Sequence, residues 1–280
     1  LVIKIKGENL IELNNFYIGE SVKFMKENIP DKYVDLTVTS PPYDDLRSYN
    51  GFIFDYKAMF NELYRVTKNG GIVVWVVGDK TIKGSETLTS FKHALYAKEI
   101  GFNVHDTMIY AKNNVYAHDP RNKRYKQSFE YMFIFSKGKP NTYNEIKDRP
   151  NKHVGKVLKG TKGRTKDGIK RELKPIVMGK FQARFNIWEY TTGGSVSKDK
   201  IAFDHSAIFP EQLALDHINS WSNEGDIVMD CMCGSGTVCK QAFLNNRKFL
   251  GIDMSEEYIN DICKPRLTEY GWINKLDLAN

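Results

Sequence analysis

Apolar and polar positions along this chain change period several times, and each change marks an element. Residues 72–77, Ile-Val-Val-Trp-Val-Val, hold no polar position and are rich in β-branched side chains. Such a run reads as a central strand buried on both faces of a parallel sheet. Just before it, residues 55–67 place Met59, Phe60, Leu63 and Tyr64 at helical spacing, and Asn69-Gly70-Gly71 supplies a helix stop. The same reading predicts a short strand over 13–20, a helix over 21–28 broken by Pro30-Asp31, and a strand over 33–38. A helix over 89–100 and strands over 102–110 and 129–136 follow. Beyond residue 186 regular structure resumes with a helix over 209–218, where Pro210 suits the first turn. Then come a strand over 226–229, a helix over 238–244, a strand over 248–253 and a last helix over 256–267. Strands alternating with helices argue for an open α/β sheet. No internal repeat is visible.

Composition adds an anomaly. The 280 residues are 41% hydrophobic and 27% charged, as in an ordinary globular protein, with length enough for one large α/β domain or a domain with an inserted module. No stretch has the length and apolarity of a membrane span and no export signal is evident, so the expected location is cytoplasmic. The formal charge of +7 is unevenly spread: residues 137–184 hold 15 of the 41 Lys and Arg but 4 of the 34 Asp and Glu. That segment carries +11 and the remainder −4. It is rich in Gly and Lys with little apolar periodicity, which fits a solvated loop or an arm that neutralises a nucleic-acid backbone. A second basic stretch lies at Arg121-Asn122-Lys123-Arg124. The four cysteines, Cys231, Cys233, Cys239 and Cys263, lack metal-ligand spacing and read as reduced thiols, so no metal is expected.

Two stretches carry candidate chemistry. The first is Thr39-Ser40-Pro41-Pro42-Tyr43, at the mouth of the strand over 33–38. Consecutive prolines remove two backbone donors and leave the surrounding carbonyls without secondary-structure partners. Ser40 adds a hydroxyl acceptor and Tyr43 an aromatic face, so the stretch suits a flat polar ring. Alone, Ser-Pro-Pro-Tyr equally fits a polyproline turn. Residues 44–51 are polar and aromatic and read as a mobile loop over this site.

The second is Asp230-Cys231-Met232-Cys233-Gly234-Ser235-Gly236-Thr237, between a strand and a helix. Its glycines let the backbone turn sharply against a ligand. It lacks both the third glycine of a dinucleotide loop and the Gly-Lys-Ser/Thr of a phosphate loop. Asp253, ending the next strand, is placed to accept hydrogen bonds from ribose hydroxyls, or to cap the following helix. Together these form an adenosine-binding half with no need of a pyrophosphate.

In their order along the chain, TSPPY, the basic segment, His205-Ser206-Ala207-Ile208-Phe209-Pro210, DCMCGSGT and Leu250-Gly251-Ile252-Asp253 resemble the permuted β group of amino-methylating DNA methyltransferases, over nearly the whole length. The resemblance implies a class I, Rossmann-like, mostly parallel seven-stranded sheet, circularly permuted, with S-adenosylmethionine as cofactor and double-stranded DNA as partner. It implies a catalytic half over 1–137, a basic target-recognition region over 138–190 and a cofactor half over 191–280. It implies cofactor contacts from Thr39, Asp230, Cys231, Gly234, Ser235, Gly236 and Thr237, from Asp253 to the ribose, and from His205, Phe209 and Pro210 beside the methionine part. Glu20 falls where the family has Gly-Asp against the adenine amine, and Cys231 and Cys233 stand where Pro and Phe are commoner.

The resemblance also assigns catalysis to Ser40, Pro41, Pro42 and Tyr43. The Ser40 hydroxyl and Pro41 carbonyl hold the amino hydrogens of a flipped base, and Tyr43 stacks on its ring. Ser at the head of the motif implies cytosine N4 over adenine N6. A target-recognition region of this charge implies phosphate contacts from Arg47, Arg121, Lys123, Arg124, Lys152, Lys156, Lys159, Lys162, Arg164, Lys166, Lys170 and Arg171. A cognate restriction endonuclease or an orphan role, and a monomer or homodimer, stay open. So do adenine N6 or RNA as substrate, and a DNA-binding relative without catalysis.

Overall fold

The run Ile72 to Val77 lies inside an eight-stranded sheet. The computed structural model describes residues 2–4, 10–42, 54–114, 121, 123–158, 162–164, 166–172, 175–193, 196–204 and 208–273, by backbone alone at 2–4, 10, 162–164 and 170–172. In chain order the sheet strands are β1 (Asn15–Ile18), β2 (Val34–Thr39), β3 (Thr67–Val77), β4 (Asn103–Lys112), β5 (Phe129–Ser136), β6 (Ile187–Tyr190), β7 (Ile227–Asp230) and β8 (Lys248–Asp253). They are ordered β6-β4-β5-β3-β2-β7-β8-β1. All run parallel except β5, which is antiparallel to both β3 and β4. Strands β2 and β7, nearly two hundred residues apart, are direct neighbours, so both motif-bearing ends emerge on one edge of the sheet.

The helices are α1 (Ser21–Asn28), α2 (Tyr56–Val66), α3 (Thr89–Glu99), α4 (Glu211–Trp221), α5 (Thr237–Leu244) and α6 (Lys264–Thr268), the last entered through a π-turn, Tyr258–Cys263. Helix α2 buries Met59, Phe60, Leu63 and Val66, and Phe60 sits 4.6 Å from the Trp75 ring of β3. Each such side chain contributes about 1.5–3 kcal/mol of burial.

Three features depart from the sequence reading. The seven expected strands gain an eighth, β6, because Ile187-Trp188-Glu189-Tyr190 alternates and buries Trp188 and Tyr190. Residues 187–190 therefore join the large sheet, although their neighbours on the N-terminal side are strongly basic. The central strand begins at Thr67, well before Gly70-Gly71: the Thr67 N–H closes α2 onto the Leu63 carbonyl while Thr67 turns extended and pairs with Val34. The glycines therefore lie inside β3, next to a bulge, and end nothing. That strand is also bordered on one side by an antiparallel partner, β5, so its unbroken apolar run reports burial on two faces and not parallel neighbours.

Residues 145–185 form a second compact unit. Lys147–Pro150 pairs with Phe181–Ala183, Val157–Leu158 with Ile176–Val177, and Lys162–Arg164 with Lys170–Glu172, all antiparallel. This nested pairing is one long β-ribbon whose tip lies near residues 166–169. A free two-stranded ribbon has no buried face to impose alternation, so the segment looks like loop in the sequence. Thirteen Lys and Arg against four Asp and Glu belong to it. Arg184 pairs with Asp148, and the Arg149 guanidinium lies 3.3 Å over the Phe185 ring. Among the described residues no helix is long and apolar enough to cross a membrane.

Candidate active site

A cavity of about 650 Å³ opens at the sheet edge where β2, β3, β7 and β8 end. Its walls include Ser40, Pro41 and Pro42 after β2, Asp230 with Met232, Cys233, Gly234, Ser235 and Thr237 after β7, and Asp253, Met254 and Ser255 after β8. The size is that of a small-molecule site. Position at the carboxyl ends of parallel strands is where open α/β sheets bind ligands.

Thr39 is buried beneath this cavity and donates its hydroxyl to Asp230 Oδ1 at 2.7 Å. The Met232 N–H reaches the same oxygen at 3.2 Å. Burial pushes the Asp230 carboxyl up to about 7, against the lowering effect of those two hydrogen bonds. Cys231 is buried alongside, and its carbonyl accepts from the Ser21 hydroxyl. Burial raises its thiol, as it does those of Cys233, Cys239 and Cys263, which leaves four protonated, unbridged side chains packed around the loop.

The glycine loop takes the shape its sequence requires. Gly234 and Gly236 have φ of 50° and 74°, and a Cβ on Gly236 would stand 3.0 Å from the Cys263 sulfur. Gly251 is equally constrained by packing, since a Cβ there would meet the Phe16 ring at 2.5 Å. Asp253 accepts from the Gly234 N–H at 2.8 Å through Oδ2 and from the Ser255 N–H at 2.9 Å through Oδ1. It therefore pins the loop and caps the following turn together, and each oxygen keeps a second lone pair for a ligand.

Glu20 lines the cavity, but its carboxylate caps α1, accepting from Val22 N–H at 2.9 Å and Lys23 N–H at 2.7 Å. Phe209 and Pro210 also line the cavity, with Pro210 as the N-cap of α4. Their segment is anchored from behind: Asp199 and Glu211 accept from Lys240 and Arg266, all four side chains buried or nearly so. His205, Tyr43, Arg47 and the rest of the loop over 44–51 lie outside the described residues.

Sequence reasoning missed the opposite end of the cavity, lined by Tyr110 and Lys112 of β4, Glu130 of β5, and Thr192. Lys112 Nζ donates to Glu130 Oε1 at 2.6 Å, and the Tyr110 hydroxyl is buried with no hydrogen-bond partner among the described residues. The signal available was Lys112 closing the apolar run Met108-Ile109-Tyr110-Ala111, and Glu130 set within the apolar run that begins at Phe129.

The residues expected to contact DNA fall into two groups. Arg121, Lys123 and Arg124 are exposed in the first unit, where Arg124 pairs with Glu86 at 3.7 Å. Lys152, Lys156 and Lys166 are exposed on the ribbon, and Lys162, Arg164, Lys170 and Arg171 lie in its strands. Lys159 lies outside the described residues.

Comparison with known proteins decides the family. Residues 34–264 match the DNA methylase model of the N6/N4 methyltransferases. The chain belongs to this family. One DNA methylase relative, the orphan methyltransferase M.BamHII of Bacillus amyloliquefaciens, is 59% identical over 255 residues, covering 90% of this chain and 95% of its own. The type II methyltransferase M.HpaI of Haemophilus parainfluenzae is 28% identical, over 92% of this chain and 76% of its own. Among solved structures, the cytosine-N4-specific PvuII DNA methyltransferase superposes with a TM-score of 0.63 at 18% identity, over 91% of this chain and 89% of its own. TTHA0409 of Thermus thermophilus, described as a candidate DNA modification methylase and solved with S-adenosylmethionine, reaches a TM-score of 0.59 at 22% identity, over 91% and 94%. The fold is thus that of the class I DNA methyltransferases, and the methyl donor of the family is S-adenosylmethionine. The cavity fits that donor: the carboxylates of Asp230 and Asp253 flank a glycine loop on its wall, and Pro41, Phe209 and Met232 supply apolar walls.

Proposed function

We propose that this protein is a site-specific DNA methyltransferase that methylates the exocyclic N4 amine of a cytosine flipped out of duplex DNA. The observation that carries the reading is the sharing of one cavity by Ser40-Pro41-Pro42 and the loop flanked by Asp230 and Asp253, joined through the Thr39 hydroxyl.

S-adenosylmethionine supplies an electrophilic methyl group on a positively charged sulfur. Toward it, Asp253 offers lone pairs to the ribose hydroxyls, the Gly234–Gly236 turn brings backbone close, and Phe209 and Pro210 border the methionine part. Thr39, Cys231 and Thr237 shape the loop from beneath and Ser235 from its rim, His205 lies on the segment leading to Phe209, and Glu20 holds the start of α1 at the adenine end. Toward the base, the Ser40 hydroxyl and Pro41 carbonyl accept the two amino hydrogens, which draws the nitrogen toward a tetrahedral shape and exposes its lone pair. Pro42 fixes the backbone that aims these acceptors, and Tyr43 stacks on the ring. Positioning and oriented dipoles provide the acceleration, with no covalent enzyme intermediate.

Extruding the base costs about a few kcal/mol, offset by aromatic stacking and by phosphate contacts. Those contacts are assigned to the ribbon, through Lys152, Lys156, Lys159, Lys162, Arg164, Lys166, Lys170 and Arg171, and to Arg47, Arg121, Lys123 and Arg124. The orphan description of the 59% identical relative supports modification without a companion endonuclease. The family model spans both amine types, so adenine N6 is the second reading. Host DNA sequenced for modified bases, with and without the protein, followed by nucleoside analysis, tests both: N4-methylcytosine supports the proposal, and N6-methyladenine alone replaces it. Ser40→Ala is expected to lower kcat by about 100-fold, and DNA left unmethylated by the unmodified protein would mark a non-catalytic relative.

A further inference from the structure

Once the cytosine amine is held at Ser40 and Pro41, its ring nitrogen N3 and carbonyl O2 must face another wall. Both are acceptors, and leaving them unpaired in a closed cavity is costly. Across the cavity from the cofactor loop, the ends of β4 and β5 carry donors in a place where the fold does not need them. Tyr110 and Glu130 are directly cross-strand, so their side chains share a face with Lys112, two residues on. The Lys112 ammonium bonds Glu130 at 2.6 Å and lies 5.8 Å from the centre of the Tyr110 ring. Their side chains are 26% and 16% exposed, and an ion pair drawn this far out of water contributes little to stability. The Tyr110 hydroxyl is the sharper sign. Tyr110 is 3% exposed, and its oxygen has no hydrogen-bond partner among the described residues. A phenylalanine would fill the same space without leaving a polar atom unpaired.

The geometry points to Tyr110 and Lys112 as the residues that read the target base, donating to the N3 and O2 acceptors of the flipped cytosine, with Glu130 a positioning residue that aims the ammonium. This rests on the cytosine reading above. Adenine presents one ring acceptor beside its amine and then a C–H, so a pair of donors at this wall selects against it. The Lys112 side chain, which overlies the Tyr110 ring, turns toward the base and opens the hydroxyl to it.

The test uses the full-length protein and a duplex carrying the site located by sequencing. In one duplex the target is cytosine; in the other it is a 2-aminopyridine C-nucleoside, which keeps the amine and the adjacent ring nitrogen but lacks the carbonyl. Single-turnover methylation and thermal unfolding are measured for the unmodified protein, Tyr110→Phe, Lys112→Met and Glu130→Gln. Tyr110→Phe is expected to unfold at an unchanged or higher temperature yet methylate cytosine about tenfold more slowly. Lys112→Met and Glu130→Gln are expected to slow cytosine methylation as well. On the carbonyl-free base the unmodified protein should already be slow, Lys112→Met and Glu130→Gln should cost little more, and Tyr110→Phe, whose N3 acceptor is retained, should keep its loss. Variants that methylate cytosine at the unmodified rate overturn the assignment, as does an equal loss on both bases for Lys112→Met. N6-methyladenine as the product of the unmodified protein removes the cytosine reading itself, and is seen before any variant is made.

Discussion

Thr39 and Asp230, 191 residues apart, are joined by a hydrogen bond of 2.7 Å between side chains that are both almost wholly buried. The bond ties the strand that delivers Ser40-Pro41-Pro42 to the strand that delivers the glycine loop, so the two halves of the cavity share one fixed edge. Thr39→Val keeps the shape but leaves Asp230 Oδ1 with the Met232 N–H alone. The expected cost is about 1–3 kcal/mol, read as a lower urea midpoint, with Thr39→Ser recovering most of it.

Asp230 should make the protein pH-sensitive. Its carboxyl is raised by burial to about 7 from an ordinary value of 3.8. The folded state therefore holds this proton more tightly than the unfolded state, and the contribution to stability falls as pH rises from about 4 through about 7. Asp230→Asn should flatten that decline, so that its urea midpoint gains on the unmodified protein at pH 8 but not at pH 4. Equal gains at both pH values would contradict the assignment.

The anchor behind Phe209 and Pro210 titrates in the opposite sense. Burial works to raise Asp199, but hydrogen bonds from Arg266, Lys240 and Tyr270 overcome it and hold the carboxyl at about 2. Its stabilisation is present above pH 3.8 and is lost as pH falls through about 2. Arg266→Met leaves Asp199 and Glu211 with one cation, Lys240, in a buried setting, and should cost about 3–5 kcal/mol at neutral pH. Chemical denaturation measures this, and S-adenosylhomocysteine binding by calorimetry reports whether the segment still borders the cavity.

Binding to duplex DNA should weaken steeply with salt, and the ribbon should supply much of that slope. Each lysine withdrawn from a phosphate reduces the slope of log affinity against log salt by about one. Lys152→Ala, Lys156→Ala and Lys166→Ala, singly and combined, test it by fluorescence anisotropy. A slope that survives the triple substitution would exclude these three lysines as phosphate contacts.

The fold was legible wherever an element makes its own case. The β-branched run before Val77, the spacing of Met59, Phe60 and Leu63, and the turn around Gly234 each reflect local constraints of burial or backbone angle. Less legible was anything set by a partner distant in sequence. The ribbon is held by cross-strand pairs such as Val157 with Val177, without a buried face to impose a period. Strand β6 has a clear alternation, but it lies next to the most basic stretch of the chain, and charge obscured it.

The same division runs through the site. The two motifs, their order, and hence the family are written in the sequence, because glycine turns, consecutive prolines and terminal carboxylates are chemical choices made residue by residue. It took the folded arrangement to establish that Glu20 is engaged as a helix cap, that Asp230 is buried against Thr39, and that Tyr110, Lys112 and Glu130 stand on the same cavity. Those facts depend on which strands become neighbours. That choice is made by burial and pairing over the whole sheet, and no local pattern encodes it.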